Sequence, residues 1–199
     1  MENRQMMWTI TRKTAETDIE LSLFVMPKNA RGKFEGTSGV GFFDHMLNSF
    51  CVHGGFAVNL KCKGDLSVDC HHTIEDVGIV LGMAFAKASG DKKGMARFCD
   101  LHIPMDEALA FCAVDYSGRP YLRFDADFKA DMIGDYDTQM TAEFFRAFCM
   151  SAGVTMHLTC VCGDNDHHKT EALYKAAGRA MGRAMEKVSD EVLSAKGVL

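Results

Sequence analysis

His71-His72-Thr73-Ile74-Glu75 returns 96 residues further on as His167-His168-Lys169-Thr170-Glu171, and this pair of stretches decides how the chain is read. If each opens a helix, the first histidine and the glutamate are spaced i,i+4 and the second histidine and the glutamate i,i+3, so the carboxylate can approach either imidazole. Adjacent histidines diverge by about 100° around a helix. They therefore serve different ions, which implies two metals or shared sites. A single His-His-x-x-Glu is a weak signal whose plain alternative is a polar helix start. The copy extends beyond it: Gly82, Ala84 and Ala88 recur as Gly178, Ala180 and Ala184 at the same offset.

Upstream, Met46-Leu47 and Phe50 match Phe144-Phe145 and Phe148 at an offset of 98, which sets His45 against Glu143. Residues 55–60 likewise match 153–158. Each half reads as helix, strand, turn and second helix, the turn being Lys63-Gly64-Asp65 or Cys162-Gly163-Asp164. Repetition at this length means one supersecondary unit used twice to close a common core. With no Ser-, Pro- or Gln-rich linker between the halves, they are expected to pack together.

The 199 residues suffice for one substantial core or two fused half-domains, and 47% hydrophobic with 25% charged content is that of a soluble globular protein. A net charge of −5 argues against a general nucleic-acid or anionic-membrane surface and leaves room for a local phosphate pocket. Eight cysteines without a Cys-x-x-Cys pair read as reduced core residues. Cys160-x-Cys162 puts two thiols on one strand face, only two of the ligands zinc needs. No run of about 18 apolar residues and no signal-like leader is present, so the cytoplasm is the expected location.

Along the chain, 8–12 and 18–25 alternate as an opening hairpin around Glu16-Thr17, followed by a loop over 27–39 and a helix over 42–53. The first His-His helix should run to about Gly90. Strands are expected over 110–116 and 121–128, then a loop at 134–137 that starts the next helix, and a tail past Met185 that is disordered by default. On residues alone Glu16 is a solvated turn carboxylate, His45 a packing histidine, and Arg97, Arg119 and Lys196 surface charges. Lys175, four residues after Glu171, is an intrahelical ion pair.

At Gly39-Val40-Gly41-Phe42-Phe43-Asp44-His45-Met46-Leu47, then 69–78, 104–110, 117–120, 165–172 and the terminal Ser194-Ala195-Lys196-Gly197-Val198-Leu199, the chain resembles the imidazoleglycerol-phosphate dehydratase family of histidine biosynthesis. The resemblance covers nearly all of it. It implies an α+β fold of two duplicated half-domains, 1–92 and 93–199, each a four-stranded sheet backed by helices and packed together, as in a ribosomal protein's second domain. It further implies a hydro-lyase with two manganese ions per active site, held by His45, His71, His72, Glu75, Glu143, His167, His168 and Glu171. Imidazole and carboxylate ligands without thiolate suit that ion. Glu16 is then the acid/base, with Asp106 and Lys175 beside the site and Arg97, Arg119, Ser194 and Lys196 around the substrate phosphate. The implied chemistry is expulsion of hydroxide by the metal-held imidazolate ring through a diazafulvene, with a carboxylate moving the proton. The resemblance also implies a 24-subunit homo-oligomer of cubic symmetry with active sites at subunit contacts. The chain departs from the family pattern at Glu143, where some members carry His, at Ser49 for Gln, at Cys70 for Asp, and at Ala195 for Ser or Thr. Two rival readings remain: a dinuclear hydrolase that releases phosphate, and a metal-linked structural assembly without turnover.

Overall fold

The computed structural model describes residues 6–28 and 30–197. Alternation of apolar and polar residues gives the opening hairpin, β1 (Met7–Lys13) and β2 (Thr17–Val25), followed by β3 (Lys33–Thr37), α1 (Gly41–Gly54), β4 (Phe56–Gly64) and α2 (His71–Ser89). The second half repeats the plan with β5 (Phe98–Met105), β6 (Ala108–Asp115), β7 (Tyr121–Asp125), a short pair β8 (Met132–Ile133) and β9 (Tyr136–Asp137), α3 (Met140–Ala152), β10 (Thr155–Cys162) and α4 (Asp166–Ala184). The sheets run β1-β2-β4-β3 and β5-β6-β10-β7, each with three antiparallel strands and a last strand parallel to its neighbour. The topology is thus α+β and duplicated.

Helices α1 and α2 cover the first sheet and α3 and α4 the second, and the two helical layers meet with α2 on α3 and α1 on α4. The copied small residues explain how closely they meet. A Cβ on Gly82 would lie 2.5 Å from the carbonyl oxygen of Phe148, and one on Gly178 would lie 2.3 Å from that of Phe50, its repeat partner. Around these crossings Phe50, Phe85, Phe144 and Phe148 are fully buried; the first two and Phe148 meet edge to face, and Phe144 stacks on Phe148. Gly178→Ala is expected to cost about 1–3 kcal/mol through overpacking. That lowers the melting temperature by roughly 2–12 °C for a chain of this size; an unchanged melt would contradict the close crossing.

The expected loop over 27–39 contains β3, which pairs in parallel with β4. Only Phe34 of that strand packs on the core, while Lys33 and Glu35 face solvent and pair with each other, so no alternation marked it. The expected loop at 134–137 folds back on Met132–Ile133, and the strand over 121–128 ends at Asp125. The tail past Met185 is held rather than loose: Val188 N–H donates to the Gly94 carbonyl and Gly94 N–H to that of Glu191, both at 2.8 Å. Val198 and Leu199 lie outside the described residues. All eight cysteines are free, and a register shift between Cys160 and Cys162 breaks the alternation that would have put both thiols on one face. Among the described residues no helix is long and apolar enough to cross a membrane.

Candidate active site

Both His-His pairs stand in first helical turns. Asn165 Oδ1 accepts from the backbone N–H of His167 and His168 at 2.9 and 3.3 Å, and Asp69 Oδ1 accepts from that of His71 at 2.7 Å, so each helix start is fixed by a polar side chain. In the second half the i,i+4 spacing closes: His167 Nε2 lies 3.2 Å from Glu171 Oε2. The packing of α1 on α4 brings His45 Nε2 to 3.2 Å from the same oxygen. The ligating atoms of His45, His167 and Glu171 lie within 4.8 Å of one another. Lys175 Nζ holds Glu171 Oε1 at 2.7 Å. Burial alone would raise the Glu171 carboxyl, but the hydrogen bond and charge of Lys175, joined by His45, hold it below its ordinary value.

The second histidine of each pair turns elsewhere, the rings within a pair being 6.0 and 6.1 Å apart and inclined by 64° and 81°. His72 Nδ1 lies 2.9 Å from Asp65 Oδ2, and its Nε2 lies 3.6 Å from Glu16 Oε1. In the same way His168 Nδ1 lies 2.8 Å from Glu107 Oε2 and its Nε2 3.8 Å from Asp106 Oδ2. Glu16 and Asp106 occupy matching hairpin tips. Thr14 Oγ1 pins the first tip by accepting the N–H of Glu16 and Thr17, while buried Asp76 on α2 takes Thr17 Oγ1 at 2.5 Å and Arg12 Nε at 2.8 Å. Asp106 sits at φ +49 in the left-handed region that tight turns use. The Glu107 carboxyl is pulled down to about 2, chiefly by His168 and then by backbone N–H groups, and the His72 and His168 rings are raised by their carboxylates. Sequence reasoning missed Asp65 and Glu107, since a turn carboxylate looks like any solvated one.

The first-half counterpart of the closed cluster does not form. His71 Nε2 stands 3.8 Å from Glu75 Oε2, and Glu143, set by the repeat against His45, is gripped by the Arg146 guanidinium one turn along α3.

The phosphate candidates gather elsewhere. Asp115 accepts Arg97 Nε at 2.7 Å and both Arg97 Nη2 and Arg119 Nη2 at 3.1 Å, and Arg119 Nε donates to Ser117 Oγ at 3.2 Å. Burial raises the Asp115 carboxyl, but Arg97, Ser117 and Arg119 outweigh it and leave it below its usual range. Arg97 Nη1 donates to the Leu193 carbonyl at 2.7 Å, which brings the tail alongside just before Ser194 and Lys196. The eight residues of β5 separate Arg97 from Asp106, roughly 25 Å at the rise of a strand. The structure therefore brings Arg97 and Arg119 together, and Asp106 to His168, but puts the two groups at opposite ends of the second sheet.

Fold and site define a duplicated α+β enzyme that presents imidazole and carboxylate donors from equivalent helix starts. Residues 38–181 match the family described as imidazoleglycerol-phosphate dehydratase. The imidazoleglycerol-phosphate dehydratases of Carboxydothermus hydrogenoformans and Caldicellulosiruptor saccharolyticus are 54% and 51% identical over 190 residues; these cover 96% of this chain and 97% and 96% of those proteins. The crystal structure of the Staphylococcus aureus enzyme superposes with a TM-score of 0.82 at 37% identity, covering 92% of this chain and all of that one. The chain belongs to the imidazoleglycerol-phosphate dehydratase family and is a hydro-lyase.

Proposed function

We propose that the chain converts D-erythro-imidazole glycerol phosphate to imidazole acetol phosphate and water in L-histidine biosynthesis, in the cytoplasm. Family membership narrows the reaction, and the convergence of His45, His167 and Glu171 within 4.8 Å is the observation that carries the site reading. The donors fit manganese: they are nitrogen and oxygen without thiolate, and the outward rings of His72 and His168 are braced through Nδ1. The residues that would hold two such ions are His45, His71, His72, Glu75, Glu143, His167, His168 and Glu171. When bound, the ions supply Lewis acidity toward the substrate's imidazole and a template for its orientation.

The rest falls to the side chains. The proton to be removed lies on the carbon beyond the one that loses hydroxyl, and no carbonyl acidifies it. Once the ring has given up its N–H proton, ring electrons expel hydroxide, the two leaving as water and giving a diazafulvene. Glu16 takes the proton from the next carbon, restoring the aromatic ring, and the resulting enol becomes the ketone. Lys175 balances the charge of Glu171. Arg97 and Arg119 present planar guanidinium groups suited to a phosphate dianion, with Ser194 and Lys196 adjoining.

A substrate of one imidazole ring, three carbons and a phosphate is far shorter than β5, so one chain cannot offer it both Asp106 and Arg97. Neighbouring chains complete each site, in keeping with a 24-subunit homo-oligomer. Assay of imidazole glycerol phosphate with manganese tests the reaction: imidazole acetol phosphate is expected, and release of inorganic phosphate without it would favour a hydrolase instead. Arg119→Ala should weaken substrate binding by about 1.5–3 kcal/mol, raising KM by roughly 10- to 150-fold. An unchanged KM and rate would remove Arg119 from the phosphate site.

A further inference from the structure

We propose that Asp65 and Glu107 are positioning residues, each fixing the ring of one outward histidine so that its Nε2 is bare and able to ligate. The inference rests on the metal reading above. Both carboxylates meet Nδ1, at 2.9 Å on His72 and 2.8 Å on His168. An ionised carboxylate only accepts, so Nδ1 carries the hydrogen and the lone pair of the neutral ring lies on Nε2. Those nitrogens face Glu16 and Asp106 at 3.6 and 3.8 Å. For the neutral ring, the lone pair and carboxylate opposed at that distance repel, and a cation, whether a proton or a metal ion, relieves it. A ring braced from behind by a carboxylate is how metal-bound histidines are oriented and made more basic.

The two braces are not repeat partners. Asp65 follows β4, whereas Glu107 stands at the β5–β6 tip; Thr17, which follows Glu16 in the corresponding first hairpin, is engaged with Asp76. Different residues reach one geometry in the two halves, which marks the orientation of the ring as the shared requirement. Their surroundings also differ. Glu107 Oε1 accepts the N–H of Asp164 at 3.1 Å and of Asn165 at 2.8 Å, so both of its oxygens are used. Asp65 Oδ1 is buried without a hydrogen-bond partner among the described residues.

The difference makes the proposal testable by amide substitution. Glu107→Gln exchanges one acceptor for an NH2, which must face either the backbone donors or Nδ1. Facing Nδ1, it drives the ring hydrogen to Nε2 and blocks ligation. Asp65→Asn can turn its NH2 to the partnerless side and keep an oxygen on Nδ1. Calorimetric titration of metal-stripped protein with manganese should show Glu107→Gln and Asp65→Ala weakening one class of site by roughly 10- to 100-fold. Asp65→Asn should lose clearly less. His168→Ala serves as the reference that removes a ligand. If it loses a site while Glu107→Gln and Asp65→Ala titrate like the wild type, the positioning role is overturned and the metal reading stands. If His168→Ala itself retains full metal, the metal reading fails. Should Glu107→Gln not fold, the order of Asp65→Ala and Asp65→Asn decides, and equal affinities for both would overturn the proposal.

Discussion

Glu16→Gln lowers kcat by roughly 10²- to 10⁴-fold, the loss expected when a general acid-base group is removed, while fold and metal content stay as in the wild type. The turn that carries Glu16 is shaped by Thr14 and anchored through Thr17 to buried Asp76, and none of those bonds uses the Glu16 side chain. The amide has the same size, so only the ability to take a proton is lost. Glu16 is half exposed and reaches to 3.6 Å from His72 Nε2. A normal kcat in this variant would remove Glu16 from the mechanism.

Chelation is expected to break the assembled particle into smaller species, and manganese to restore both its size and its turnover. The reason lies in the divergence of the paired histidines. His45 of the first half joins His167 and Glu171 of the second in one cluster within the chain, while the His168 ring turns away from it toward Glu107 and Asp106. His72 turns likewise toward Asp65 and Glu16. If those outward Nε2 atoms complete shells begun on a neighbour, metal binding becomes assembly energy. His72→Ala or His168→Ala should then impair size and activity together. A metal-free particle of unchanged mass in light scattering would show that the ions serve chemistry alone.

The duplication was legible because both of its signals are local: a His-His-x-x-Glu spacing that needs only a helix, and a small-residue face that needs only a close crossing. The helix bounds and the opening hairpin follow from periodicity for the same reason, whereas strand β5, the partner of β6 in the second hairpin, was not expected. What periodicity could not carry depends on contacts distant in sequence. Strand β3 exists because β4 offers a free edge, not because Lys33 to Thr37 alternate. Asp65 and Glu107 acquire meaning only when α2 and α4 bring imidazoles beside their turns. Glu143 shows the opposite case. The repeat set it against His45 and the family resemblance made it a ligand; in the chain as it stands Arg146, three residues on and visible in the sequence as an i,i+3 partner, holds its carboxylate. The tail reads as loose by composition, and the carbonyls of Gly94 and Leu193 that hold it are backbone groups no composition reveals.

The proposed dehydratase site draws Asp106 and Arg97 from separate chains, because the length of β5 keeps the two apart within one. This arrangement is tested most directly by co-assembling His168→Ala and Arg119→Ala chains with manganese and measuring turnover of imidazole glycerol phosphate at limiting substrate. Each variant alone is expected to be impaired. In the mixed particle, some sites draw His168 from one kind of chain and Arg119 from the other, so activity should rise above the weighted mean of the parents. A mixture no more active than that mean would contradict the account.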